Sequence, residues 1–303
     1  MAAMTEAEML EVVSDLYGDS DDDIEGSIVA PPDATEQLNL VQLQDGIPIH
    51  LWRRSISFLT IREQAVSVRG MSRFFRECSN VYMQNFWSEP ILHLPQDARS
   101  LERAMEMLQY LMRQEVGYVE GTTVVVVKLG SGVYEVVGSC EVLEFGTLQK
   151  TLSIPCDNLS FVGKGEGETI VHGCFVVVNG RNASFEGLTV KGSSGDGVIS
   201  SGVGTKIFLK NVTMEKCQES GVSVYSGAKL VAKDCQICQN GLYGVFVDGS
   251  TTTAHLTNCN SHHNRCDGVF AYRGAVVDLM GEGTSVHNNE SFFIFCFRSH
   301  INY

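Results

Sequence analysis

Four Gly-Val pairs recur through the second half of this chain, at Gly197-Val198, Gly221-Val222, Gly244-Val245 and Gly268-Val269, at intervals of 24, 23 and 24 residues. A period of that size suits one coil of a solenoid. Two or three short strands and their turns occupy roughly 22 to 25 residues, and each coil pairs with the next about 4.8 Å away. Like residues then stack on like. Side chains alternate along a strand, so Val222, Val245 and Val269 point inward, as do Val224, Val247 and Ala271. Ten residues before the last three Gly positions stand Asn211, Asp234 and Asn258, and four residues before them Cys217, Asn240 and Asn264; Asn288 follows Asn264 by 24. The column Asn240, Asn264 and Asn288 predicts an amide ladder running from coil to coil. Cys235 and Cys259 share another column.

The repeat extends back to a Val-rich, Gly-punctuated stretch that begins after Gly121. Within it, Lys128–Val136 (KLGSGVYEV) and Asn158–Gly163 (NLSFVG) resemble the opening coils of pectate-lyase-like β-helices. The reading is a mainly β chain: a single-stranded right-handed parallel β-helix over 121–290, preceded by a small helical segment at 47–90 and by a linker and capping helix at 91–120. The cap follows from Asp97 as N-cap and from Leu101, Met105, Leu108, Leu111 and Met112 at helical spacing. An end coil has unpaired strand edges that need such a cover. Residues 291–303, with Phe292, Phe293, Ile294, Phe295 and Phe297, read as an apolar tail or lid, or as a coil cut short.

Charge is unevenly placed. Residues 1–46 hold twelve Asp and Glu and no Lys or Arg, so removing them from the chain's net charge of −14 leaves −2. The acidity belongs to an arm too polar to offset the entropy of ordering. The remainder shows no basic stripe for nucleic acid or an anionic membrane. No signal peptide or membrane-spanning run is present, which points to the cytoplasm or nucleus. The ten cysteines then read as reduced, buried thiols, and Asn158, Asn182, Asn211 and Asn289 carry glycosylation sequons by chance.

The columns also test for catalysis. Glycoside hydrolysis needs two carboxyl groups roughly 5 to 9.5 Å apart. Asp196 and Asp267 share a column but stand three coils apart, about 14 Å. Asp248 has Tyr225 and Tyr272 as its column neighbours, so no acidic pair emerges and no catalytic residue is assigned. His263 and His287, one repeat apart with His262 beside them, read as turn histidines, and Cys235-x-x-Cys238 lacks the second pair that a zinc site needs. No metal or cofactor is expected. Tyr225, Tyr243 and Tyr272, with Phe246 and Phe270 nearby, read as an exposed partner surface.

Residues Ile47–Phe75 (IPIHLWRRSISFLTIREQAVSVRGMSRFF) resemble an F-box. With Ile47 first, Phe58 and Leu59 fall at the twelfth and thirteenth positions, and Pro48, Leu51 and Ile56 match in type and place; Ser55, Gln64 and Gly70 depart from the pattern. The resemblance implies an F-box protein with β-helix repeats of the carbohydrate-binding-and-hydrolase type. It implies docking of a Skp1-like adaptor through Ile47, Pro48, Leu51, Ile56 and Leu59, with a substrate protein held by the β-helix. The expected function is therefore a non-enzymatic interaction scaffold, a substrate-recognition subunit of an SCF-type ubiquitin ligase, monomeric outside the complex. The alternative is a carbohydrate-binding or polysaccharide-cleaving β-helix protein.

Overall fold

The computed structural model describes residues 86–87, 89–113, 122–138, 140–142, 147–291, 294–297 and 300–302. The expected acidic arm and the F-box-like positions Ile47, Pro48, Leu51, Ile56 and Leu59 lie outside them. Among the described residues no helix is long and apolar enough to cross a membrane.

The chain winds into a right-handed parallel β-solenoid with three faces. Faces one and two belong to one fourteen-stranded sheet bent along a corner, and face three is a separate seven-stranded sheet. Two ten-residue strands, Asn182–Lys191 and Lys206–Glu215, run across both of the joined faces and pair residue for residue except where Gly187 meets Asn211. Both have positive φ, 62° and 50°, as do Asp234 at 54° and Asn258 at 52° one and two coils later. A left-handed residue turns the chain sharply without breaking the pairing on either side, and Asn and Asp tolerate that conformation. The Asn211, Asp234 and Asn258 column is thus a corner.

Alternation on the faces follows the pattern expected of a sheet packed on one side. In Lys229–Lys233 the exposed lysines and Val231 alternate with buried Leu230 and Ala232. Val222, Val224, Val245, Val247, Val269 and Ala271 are all fully buried and stack in register on face three. Each buried Val contributes about 1.5–3 kcal/mol. In the early coils, Phe161, Phe175 and Phe185 fill the centre, with ring centroids 4.7–5.3 Å apart.

The glycines of the first three Gly-Val pairs have a steric cause, since a Cβ on Gly197, Gly221 or Gly244 would meet an atom at 2.7, 2.7 or 2.1 Å. A Cβ on Gly244 would lie 2.1 Å from Ser261 Oγ, 2.4 Å from the Gly268 carbonyl oxygen and 2.8 Å from Asn264 Nδ2. Only a residue without a side chain lets the strand pass the amide ladder this closely. In that ladder Asn240 donates to Asn264 Oδ1 from its backbone N–H at 3.1 Å and from its amide at 3.0 Å, while Asn240 Oδ1 accepts from the Cys217 N–H at 3.1 Å. The next rung is Asn289, not Asn288: Asn264 donates to Asn289 Oδ1 from N–H and amide, both at 3.0 Å. The last coil carries two more residues at Gly281–Thr284, because Thr257 pairs with Met280 but Asn260 pairs with Ser285. Asn288 is instead an exposed left-handed corner.

Three further sequence expectations are corrected. The linker at 91–120 contains a strand, Ile91–Leu94, that pairs with Val125–Leu129 and starts the solenoid before the helix. Helix α1, Leu101–Arg113, is capped by Ser100, whose Oγ accepts the Arg103 N–H at 3.2 Å; Asp97 instead accepts the His93 N–H at 2.8 Å. Leu101, Ala104, Met105, Leu108 and Leu111 are buried in the same core as the strands. The residues read as an apolar tail or lid continue the coil: Ile294–Phe297 pairs with Val269–Tyr272 on face three, and His300–Asn302 with Val276–Asp278 on face one.

Candidate functional site

Strand alternation places two columns on the outer side of face three: Ser223, Phe246 and Phe270, and beside them Tyr225, Asp248 and Tyr272. Tyr243 joins from the turn before Gly244 and stacks on Phe246 at 5.4 Å and on Phe270 at 4.6 Å. Phe270 lies 6.1 Å from Tyr272, and the Arg273 guanidinium sits 5.5 Å from the Tyr272 ring centroid. The same guanidinium forks onto the buried carboxylate of Asp248. Burial, then the neighbouring Cys266 and Asp267, raises the Tyr243 hydroxyl above its ordinary pKa.

The expectation of an exposed tyrosine trio needs correction. Tyr225 is only 7 % exposed and packs with Cys174 and Ile199, whereas Tyr243 and Tyr272 are half-buried. The outward column holds the phenylalanines that sequence reading set aside as neighbours. The outer side of the sheet thus carries a ledge of half-buried Tyr243, Phe246, Phe270 and Tyr272 beside the exposed Arg273.

A second candidate lies on the corner between faces one and two. Here Lys164, Glu166, Glu186, Asn211, Thr213, Asp234 and Gln236 line a groove of about 400 Å³. Lys210 binds Glu186 at 2.6 Å from the next coil, and that pairing, ahead of Asp234 nearby, raises the lysine's pKa. Glu186 and Asp234 stand two rungs and one residue apart, so roughly 10 Å separates their backbones at the strand spacing. Sequence reading missed them because they occupy adjacent columns, and Glu166 comes from a loop outside the repeat. The 24-residue step from Glu186 to Lys210 was the available signal.

Other titratable groups among the described residues are buried in the repeat or aligned along it. Asp196 is 3 % exposed and accepts the Ser220 N–H at 2.8 Å. Burial, only partly offset by that hydrogen bond, pushes its carboxyl up to about 6. Cys235 and Cys259 stack as buried thiols donating to the Lys233 and Thr257 carbonyls. Burial also pushes the Cys217 thiol up to about 12. The histidine column is shifted by the longer last coil: His262, not His263, is in register with His287.

With this geometry in view, a family model described as a right handed beta helix region matches residues 167–302. Fold and match together define the class: a right-handed parallel β-helix. Of the two segments likened to opening coils of pectate-lyase-like β-helices, only Lys128 of the first stacks on the second, at Val162, and Gly132–Glu135 pairs instead with Thr169–His172. No curated protein matches the chain. Among solved structures it is similar to Geobacillus virus E2 ORF18, with a TM-score of 0.48 and 12% identity over 72% of this chain and 48% of that one. The chain therefore spans about half the length of that protein. It is also similar to the mannuronan C-5 epimerase AlgE4 A-module of Azotobacter vinelandii, with a TM-score of 0.24 and 14% identity over 54% and 71% of the two chains. Likenesses at these scores carry no functional argument.

Proposed function

We propose that this chain is a non-enzymatic binding scaffold whose protein partner lies along the outer side of face three. The observation that supports this reading is the continuous ledge of Tyr243, Phe246, Phe270 and Tyr272, ending in Arg273, on a sheet stiffened by a buried amide ladder. Aromatic and arginine side chains dominate the energetics of protein interfaces, and a pre-ordered surface loses little entropy when it binds. The finer reading, a substrate-recognition subunit of an SCF-type ubiquitin ligase in the cytoplasm or nucleus, rests on the resemblance of residues 47–75 to an F-box. It assigns Ile47, Pro48, Leu51, Ile56 and Leu59 to a Skp1-like adaptor.

A second reading has its own observation. The polar corner groove, with Glu186 and Asp234 about two rungs apart and Lys164, Asn211 and Gln236 around them, suits a carbohydrate. One experiment separates the two. Full-length wild type, a Tyr272→Ala, Arg273→Ala variant and a Glu186→Gln, Asp234→Asn variant are each incubated with a Skp1-like adaptor and with a panel of neutral and acidic glycans. Quantitative mass spectrometry of the adaptor-captured complexes and chromatography of the glycans give the readouts. The scaffold reading expects partner proteins that are lost only from the face-three variant, with glycans unchanged. Glycan cleavage or binding that disappears with the groove variant would sink it in favour of the second.

A further inference from the structure

At one end of face two, two consecutive histidines meet where strand geometry normally keeps neighbours apart. His262 closes the strand Asn260–His262, and alternation would send residue 263 to the opposite side. His263 has a φ of 55°, and this left-handed corner swings its ring back toward its neighbour. The two Nδ1 atoms stand 2.7 Å apart, with the rings edge to face at 4.9 Å. His287, in register on the next coil, stacks parallel to His262 at 5.3 Å and lies 6.4 Å from His263. On the coil before, the same column holds Cys238.

The chemistry of this cluster differs from that of the other face histidines. His172 and His255 each contact a carboxylate at 2.7 Å, from Glu135 and Asp278. Among the described residues none of the three clustered rings has a carboxylate partner. The neutral ring is the one that ligates metal. Two Nδ1 atoms this close share a single proton, so the second nitrogen presents its lone pair to that proton.

We propose that His262 and His263 form a binding site for a borderline divalent transition-metal ion of the Zn²⁺ kind, with His287 as a third imidazole from the next coil. The ion replaces the shared proton, which leaves to solvent, and each Nδ1 donates its lone pair to the metal. Among the described residues no three such groups stand preassembled around one point. Binding therefore opens the two nitrogens from 2.7 Å toward the roughly 3.3 Å edge of a tetrahedral site with bonds near 2.0–2.1 Å, and turns His287 inward. Imidazole donors select Zn²⁺, Cu²⁺ and Ni²⁺ over Mg²⁺ and Ca²⁺.

The test uses the full chain stripped with a chelator and titrated calorimetrically with Zn²⁺ at pH 7.5, with Mg²⁺ as a comparison. One equivalent of Zn²⁺ is expected to bind, and no Mg²⁺. His262→Gln and His263→Asn should each weaken Zn²⁺ binding about tenfold or more, whereas His255→Gln leaves it unchanged. Asn is at home in a left-handed corner, so His263→Asn keeps the fold, which circular dichroism checks. Wild type that binds no Zn²⁺, or a natively folded His263→Asn that binds it as tightly as wild type, overturns the proposal.

Discussion

Replacing Asn264 with Ala removes the centre of the amide ladder. Its Oδ1 accepts both the Asn240 N–H and the Asn240 amide, and its own amide donates to the Ile237 carbonyl at 3.2 Å and to Asn289 Oδ1. Asn264 and Asn240 are 0 % and 2 % exposed, so water does not replace what is lost. Two donors on Asn240 are orphaned, at about 1–3 kcal/mol each, which sets the expected loss at about 2–6 kcal/mol. Set against a typical total of about 5–15 kcal/mol, such a loss is large. Urea unfolding followed by circular dichroism should show a lowered midpoint at unchanged slope, and hydrogen exchange should show the Asn240 N–H losing protection. Asn288→Gly is the matched control. It deletes an exposed corner side chain without straining the left-handed backbone and should change stability by no more than about 0.5 kcal/mol. A cost below about 1 kcal/mol for Asn264→Ala, or an equal cost for Asn288→Gly, refutes the ladder argument.

Two more outcomes follow from buried groups. Gly244→Ala drives a methyl against the Gly268 carbonyl, which cannot move aside, and should cost about 1–3 kcal/mol by thermal unfolding; a neutral result would mean that the glycine column is not steric in origin. Asp196 has a folded-state pKa of about 6, above the ordinary 3.8, so the native state holds the extra proton in between. Stability from this group is therefore full below about pH 4 and declines as pH rises to about 6. Asp196→Asn should match wild type at pH 4 and exceed it by about 1–3 kcal/mol at pH 7, measured as urea midpoints at the two pH values; a difference that does not change with pH refutes the assignment.

The solenoid was legible in the sequence because its period is marked through four successive coils by the inward Val and the Gly before it, whereas the coils on either side carry Phe175 and Ile294 in the Val column. The ladder was legible for Asn240 and Asn264 for the same reason. It failed at Asn288 because two added residues at Gly281–Thr284 displaced the last rung to Asn289, and a fixed interval cannot detect a corner that lengthens. The same slip paired His287 with His263 in place of His262. Of the aromatic ledge on face three, the composition was readable but the exposure was not, since Tyr225 packs against Cys174 and Ile199 on the outside of the sheet. The strand Ile91–Leu94 went unseen because it precedes the first repeat and its partner lies more than thirty residues away. Glu186 and Asp234 needed adjacent columns to be compared across a bend.

The longer last coil separates two quantities that a repeat seems to tie together. Faces one and two pair with their neighbours across offsets of 23 and 25 residues within one turn of the chain, while the Asn264–Asn289 bonds stay at 3.0 Å. Register is held by each face, and contour length is free at the corners. Added residues are therefore absorbed locally, without passing a phase error to the next face. This makes the Gly281–Thr284 corner a natural port for a label or an inserted peptide that leaves both sheets undisturbed.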